Sequence, residues 1–395
     1  MNPSTYRKEV ENELYSILRY WMEYTPDARQ GGFIGRVDEL DLPDPEAVKG
    51  LVLNSRILWA FSAAYRATGL WIYKPMADRA YQYILDHFLD KEHGGAYWSL
   101  SPAGRPKETR KQIYGQAFAV YGLSEYYFAT KEKTALEEAI GIFHKIEQHG
   151  FDPEEKGYWE AFARDWSPLE EVKLSEKEAN DPKTANTNLH VLEAYATLYQ
   201  AWPDPRLHHR ILDLLEVFYC HIIGGTTCHL HLFFDGLWRA RPGLISYGHD
   251  IEAAWLLHNA ALTIGNSGWI TKTSTLVPKM ALAAAEGLDK DGGLWYEEEN
   301  GHLIREKHWW PQAEAMVGFL QAWQLTKDES WWEKSVNSWN FIKDHIRNPA
   351  GKEWYWGVQP GHTPIPGRDK IGFWKCPYHN TRACLEIMRR LDNLA

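Results

Sequence analysis

Two kinds of helical pattern alternate along the chain, and a short aromatic turn sets each pair off from the next. The first kind is Ala-rich and apolar on most faces. It begins near Asn54 (NSRILWAFSAAYR), Tyr114 (YGQAFAVYGLSEYY), Asn186 (NTNLHVLEAYATLY), His249, Trp310 (WPQAEAMVGFLQAW) and His379 (HNTRACLEIMRRL). A helix that is apolar nearly all round has to be buried, so these six predict an inner layer. The second kind falls near 76–88, 135–149, 206–222, 273–287 and 331–346 and carries more charge, which predicts an outer layer. The amphipathic segment at 6–24 supplies a sixth outer helix.

The turns carry the repeat. They begin near Gly31 (GGFIGRVDE), Gly94 (GGAYWSLSPAGR), Gly157 (GYWEAFARDW), His229 (HLHLFFDGLW), Gly292 (GGLWYEEENG) and Trp354 (WYWGVQPGH). The interval is about 63 residues, with one longer step between the third and fourth. Each turn reads as a short aromatic hairpin with Gly or Asp-Gly chemistry. Six helix pairs without polar end caps should close on themselves, since an open solenoid needs such caps. The expected fold is all-α: an (α/α)6 barrel, one domain over residues 1–395, with the hairpins at a single mouth. Residues 165–183 form the most polar stretch, account for the long interval, and are expected to be a mobile loop.

Composition narrows the partners. Among 395 residues stand 20 Trp and 21 Tyr, rings that fill wide interiors or stack on sugar faces and bases. A net charge of −10 argues against nucleic acid, which demands a basic surface, and leaves carbohydrate as the expected small-molecule partner. No apolar run reaches the roughly 18 residues that would suggest a membrane span. Cys220, Cys228, Cys376 and Cys384 are too sparse for a disulfide scaffold, and the N-terminal residues show no secretory signal. A cytoplasmic monomer is the expectation.

Closure would gather the inner-helix starts around one mouth: Arg56, Tyr114, Asn186 with His190, His249 with Glu252, His308 through Glu314, and His379 with Asn380. His249 and Glu252, three residues apart in SYGHDIEAAWLL, share one face of a first helical turn. An imidazole beside a carboxylate is either a helix cap or a proton-transfer group, and several His on one rim favour the second. A glycosidase would need two carboxylates flanking its bond, and here imidazoles dominate. The string Cys228-His229-Leu230-His231 alternates like a strand and reads as structural rather than metal-binding. No phosphate loop appears. Neither metal nor cofactor is expected, and proton transfer by side chains remains. On their own, His308 reads as a cap, Cys376 as a buried thiol and Arg56 as a salt-bridge member.

The strings YGHDIEAAWLL, NTNLHVLEAYA, HWWPQAEAMVGF and, most specifically, GFWKCPYHNTRACLE resemble motifs of the cellobiose 2-epimerases within the N-acylglucosamine 2-epimerase superfamily. The likeness runs from RILWAF at 56–61 onward. It implies an (α/α)6 barrel and a cofactor-independent inversion of C2 in the reducing-end glucose of β-1,4-linked disaccharides such as cellobiose or lactose. By resemblance His249 and His379 are the two acid/base residues, and His190 assists ring opening. Arg56 holds the C1 and C2 oxygens, and Glu252 orients a catalytic His. Trp310 and Trp374 stack on sugar, Tyr114 and Asn186 hydrogen-bond it, and Trp309 and Glu314 belong to the pocket. A monosaccharide D-mannose/D-glucose isomerase or 2-epimerase of the same superfamily, or a glycoside hydrolase on the same barrel, are the alternatives.

Overall fold

Twelve helices form where the alternation requires them in a computed structural model that describes residues 1–175 and 179–394. The inner six are α2 (Leu51–Thr68), α4 (Ile113–Thr130), α6 (Ala185–Ala201), α8 (Tyr247–Ile264), α10 (Trp309–Thr326) and α12 (His379–Asp392). Each packs on the next and α12 packs on α2, so the ring closes into an (α/α)6 barrel. Outside lie α3 (Lys74–Tyr83), α5 (Lys133–Lys145), α7 (Pro205–Val217), α9 (Ser267–Ala285) and α11 (Glu329–Phe341), while α1 (Pro3–Tyr24) covers α12. The layers follow the side chains. Every residue of α4 from Ile113 to Tyr126 is buried, whereas α7 buries Leu207, Ile211, Leu214 and Leu215 on one face. Inner helices also need small residues at their crossings: a Cβ on Gly122 would stand 2.7 Å from the Ser55 carbonyl oxygen of the neighbouring helix.

The mouth is built differently from the expected row of self-contained hairpins. Such hairpins form at 99–108 and 297–304. Elsewhere a single bridge closes the aromatic turn, as at Leu89 with Ala96 and Phe151 with Tyr158. Two-residue strands then pair across repeats: Lys49–Gly50 with Ser99–Leu100, Lys111–Gln112 with Ala161–Phe162, Lys183–Thr184 with Phe233–Phe234, and Lys307–His308 with Gly357–Val358. A bridge from Val37 to Ile371 joins the first repeat to the last. So short a strand gains little from pairing with itself, and pairing with the neighbour stitches the rim together.

Two further devices recur at most of the inner-helix starts. Two residues ahead of the helix a buried Lys meets a carboxylate of the turn: Lys49 with Asp27 (2.7 Å), Lys111 with Asp90 (2.8 Å), Lys183 with Asp152 (2.7 Å) and Lys307 with Asp289 (2.8 Å). At the fourth helical residue a carboxamide clips the backbone of the turn, Gln116 to Ala96, Asn188 to Tyr158 and Gln312 to Leu294. In the fourth repeat Asp250 takes that place, accepting from the Leu230 N–H and from His229 Nδ1 at 2.7 Å, so His229 serves the scaffold. These ties hold the helix starts at one height. The sixth residue of each then reaches the barrel interior at a common level: Arg56, Phe118, His190, Glu252 and Glu314, joined by Arg382 from α12.

The stretch at 165–183 is tied down on both sides of residues 176–178, which lie outside the described residues; the expectation of mobility falls partly on them. Leu174 is buried, Asn180 Oδ1 accepts from the Val172 N–H at 2.7 Å, and Arg241 forks onto Asp181 at 2.8 and 2.9 Å.

Candidate active site

A cavity of about 470 Å³ opens at the mouth, and ten of the eleven residues singled out by sequence line it: Arg56, Tyr114, Asn186, His190, His249, Glu252, Trp309, Trp310, Trp374 and His379. Glu314 stands behind His379 instead. The helix starts deliver these side chains in layers. Tyr114, Asn186 and Trp310 are each the second residue of their helix, and Arg56, His190 and Glu252 lie one turn deeper.

His249 and His379 meet across one indole. Their rings lie 4.7 and 5.6 Å from that of Trp310. His249 Nδ1 shares a 2.8 Å hydrogen bond with Ser246 Oγ, and burial pulls its pKa down to about 4, against the pull of Glu252. His379 Nδ1 donates to Glu314 Oε1 at 2.7 Å; burial, helped by Arg56 and Arg382, depresses it well below the usual imidazole value despite Glu252. With their δ nitrogens engaged, both rings have Nε2 left for the cavity.

Glu252 acts on both imidazoles through its charge and hydrogen-bonds neither of them among the described residues. Its nearest oxygen is 3.9 Å from His379 Nδ1, and it accepts from Arg382 Nη2 at 2.5 Å. The carboxylate bonded to His379 is Glu314, which also accepts from Arg382 Nη2 at 2.7 Å and from Trp255 Nε1 at 3.0 Å. Burial pushes the Glu314 carboxyl up, and the Arg382 charge opposes it. Glu252, Glu314 and His379 are the one metal-ligand-like trio among the described residues. A cation there would meet the guanidinium that already bonds both carboxylates, so the donor set suits Arg382 better than a metal.

Arg56 makes no ion pair among the described residues, which removes the salt-bridge reading. Its Nη2 donates to Tyr114 Oη at 2.7 Å and its Nη1 to Cys376 Sγ at 3.7 Å, and the guanidinium lies 4.1 Å from the Phe118 ring centre. It is buried, with aromatic and thiol neighbours in place of a counterion. His190 is buried as well, edge-on to Tyr114 (5.2 Å), with Nδ1 donating to Glu193 Oε2 at 2.9 Å. Trp374 packs among Trp98, Tyr114 and Phe373 at 5.2–6.0 Å.

Five lining residues had no helical signal to announce them: Leu174, Ser175, Tyr296, Trp356 and Arg368 come from loops. The aromatic pair among them lies in the turns GGLWYEEENG and WYWGVQPGH. His308, read as a cap, lines the cavity too, stacked on Tyr296 at 3.9 Å and bonded to Glu306 at 2.8 Å. Glu193 and Arg382 were also missed, since on a helix they look like ordinary surface charges.

A closed helical barrel whose mouth holds stacked aromatics, four imidazoles and a guanidinium free of counterions is a carbohydrate-converting barrel. A family model for N-acylglucosamine 2-epimerase (GlcNAc 2-epimerase) matches residues 32–383. The chain belongs to that family, and it is a carbohydrate epimerase. A cellobiose 2-epimerase of Bacteroides fragilis is 46% identical over 385 residues, 97% of this chain and 98% of that protein. The solved structure of the cellobiose 2-epimerase from Bacillus thermoamylovorans B4167 superposes with a TM-score of 0.94 at 39% identity, covering 98% of this chain and 100% of that one. A D-mannose isomerase of Marinomonas mediterranea is 23% identical over 400 residues, 97% of each chain.

Proposed function

We propose that the protein inverts C2 of the reducing-end glucose in β-1,4-linked disaccharides, turning cellobiose into glucosyl-mannose and lactose into epilactose. The observation that carries this reading is the pairing of His249 and His379 against one indole in one cavity. Arg56 beside them offers a positive charge where negative charge must develop.

His190 takes the C1 hydroxyl proton on Nε2 and passes it to the ring oxygen as the C1–O5 bond breaks, which frees the aldehyde. One of His249 and His379 then takes the C2 proton through Nε2, and the electron pair flows into a cis-enediolate. The charge on the C1 and C2 oxygens falls to Arg56, whose planar fork can reach both. Donors aimed at developing charge are worth roughly 3–4 kcal/mol each in other enzymes. Rotation about C2–C3 turns the opposite face to the other His, which draws a proton from solvent onto Nε2 beside the enediolate charge and returns it to C2, while the first His releases its proton to solvent; Glu314 compensates the charge when His379 carries it. Ring closure completes the step, which draws on no cofactor. Trp310 and Trp374 stack on the sugar, Tyr114 and Asn186 bind its hydroxyls, and Trp309 backs Trp356.

Room for a second sugar is supported by the cluster of Trp356, Tyr296, Arg368 and His308 beside Trp309. The higher identity to cellobiose 2-epimerases than to the mannose isomerase points the same way. A hydrolase reading is disfavoured, because Glu252 and Glu314 are both bound to Arg382 rather than flanking an open cleft. On this reading the protein is a cytoplasmic monomer, its four cysteines all free thiols. Proton NMR in heavy water with cellobiose, lactose and mannose supplied separately tests it. Deuterium should enter at C2 of both disaccharides, and turnover of mannose alone would reject the disaccharide assignment.

A further inference from the structure

Arg382 lies in the barrel interior at the level of His190 and lines a second cavity of about 340 Å³. That second cavity is lined by Arg382 and Glu193 together with Trp59, Tyr121 and Trp255. Glu193, at 7% exposure, therefore has one side toward His190 and another toward a separate space. Its Oε2 accepts from His190 Nδ1 at 2.9 Å and from Tyr378 Oη at 2.6 Å, while Oε1 accepts from Arg382 Nη1. Burial by itself would raise the Glu193 carboxyl, but the Arg382 guanidinium and the His190 and Tyr378 bonds outweigh it and hold it below the usual carboxylate range.

From this geometry we infer that Glu193, anchored by Arg382, is the positioning residue of His190. A carboxylate accepts only, so it fixes the proton of neutral His190 on Nδ1 and turns a bare Nε2 toward the cavity. When Nε2 then takes a proton, the imidazolium finds its counter-charge 2.9 Å away. An orienting carboxylate of this kind supplies tautomer and charge compensation without itself gaining a proton. The inference rests on the ring-opening role of His190 given above. It predicts a division of labour: Glu193 governs ring opening, whereas Glu314, on His379, governs C2 chemistry.

Ring opening alone can be followed as enzyme-catalysed mutarotation of β-cellobiose, and C2 chemistry as deuterium uptake at C2, both by NMR on the full-length protein. Glu193→Gln should lose mutarotation and C2 uptake together, by about 100-fold, within the span of general acid–base effects. His379→Ala should lose C2 uptake and keep mutarotation. Glu193→Ala leaves a gap open to the second cavity, so formate should restore both rates with saturation. Should Glu193→Gln not fold, Glu193→Asp carries the test, since it keeps a charge for Arg382 but draws the oxygens back from His190. Mutarotation at the wild-type rate in the folded Gln or Asp variant, or a loss in Glu193→Ala that formate does not restore, overturns the inference. A wild-type protein inert toward all three sugars would instead sink the proposed function.

Discussion

Replacing Arg382 by Met removes one guanidinium and leaves three buried carboxylates without it. Glu193, Glu252 and Glu314 are each at most 7% exposed, and each bonds Arg382 directly. Deleting one partner of a buried ion pair costs about 3–5 kcal/mol, because the charge left behind is neither hydrated nor paired. With an unfolding entropy of about 2.1 cal/mol/K per residue over the chain, that cost lowers Tm by roughly 4–6 °C at pH 8. The pH dependence gives the sign. In the parent, Glu193 titrates below its unfolded value, so its ionised form stabilises the fold above the ordinary carboxylate range. Without Arg382, burial dominates at Glu193 and Glu314 and their carboxyls titrate above that range, so their ionised forms oppose folding. The deficit should therefore be largest at pH 8 and shrink toward pH 5 as the carboxyls take up protons. Calorimetric unfolding of parent and variant across that interval measures it. A variant as stable as the parent at pH 8, or a deficit that does not change with pH, would refute the argument.

Three other outcomes are expected. His249→Ala and His379→Ala should each slow C2 deuterium uptake about 10²–10⁴-fold with Tm within a few degrees of the parent, and a near-normal rate in either would break the acid/base pair. Because burial holds neutral His249 down to about pH 4, the acid limb of kcat/KM should fall near pH 4 and not near 6.5, read from a pH profile on cellobiose. Gly122→Ala forces its new methyl against the Ser55 carbonyl and should cost about 1–3 kcal/mol in denaturant unfolding, visible as an earlier midpoint with unchanged slope.

Much of the architecture was legible because its cause is local. Apolar-all-round and one-faced helices alternate at a fixed period, and that pattern alone led to six inner and six outer helices and to a shared mouth. Closure then brought Arg56, His190, His249 and His379 into one cavity. Rim pairing was not legible, since two-residue strands are too short to show alternation, and their partners lie a full repeat away. Nor could loops without periodicity reveal that Tyr296, Trp356 and Arg368 reach the cavity.

The sharpest contrast is between Glu252 and Glu314. In sequence Glu252 is the natural partner of His249, three residues off on the same face. In the barrel His249 turns toward Ser246 at the helix start, while Glu252, one turn deeper, points inward to Arg382 on another helix. Glu314, 65 positions from His379, takes up the bond. Sequence by itself determined which residues stand at each helix start, because periodicity and turn chemistry act over a few neighbours. Only the closed tertiary structure decided which carboxylate meets which imidazole and which charge stands between them, because side chains at one depth on different helices become neighbours only when the ring shuts.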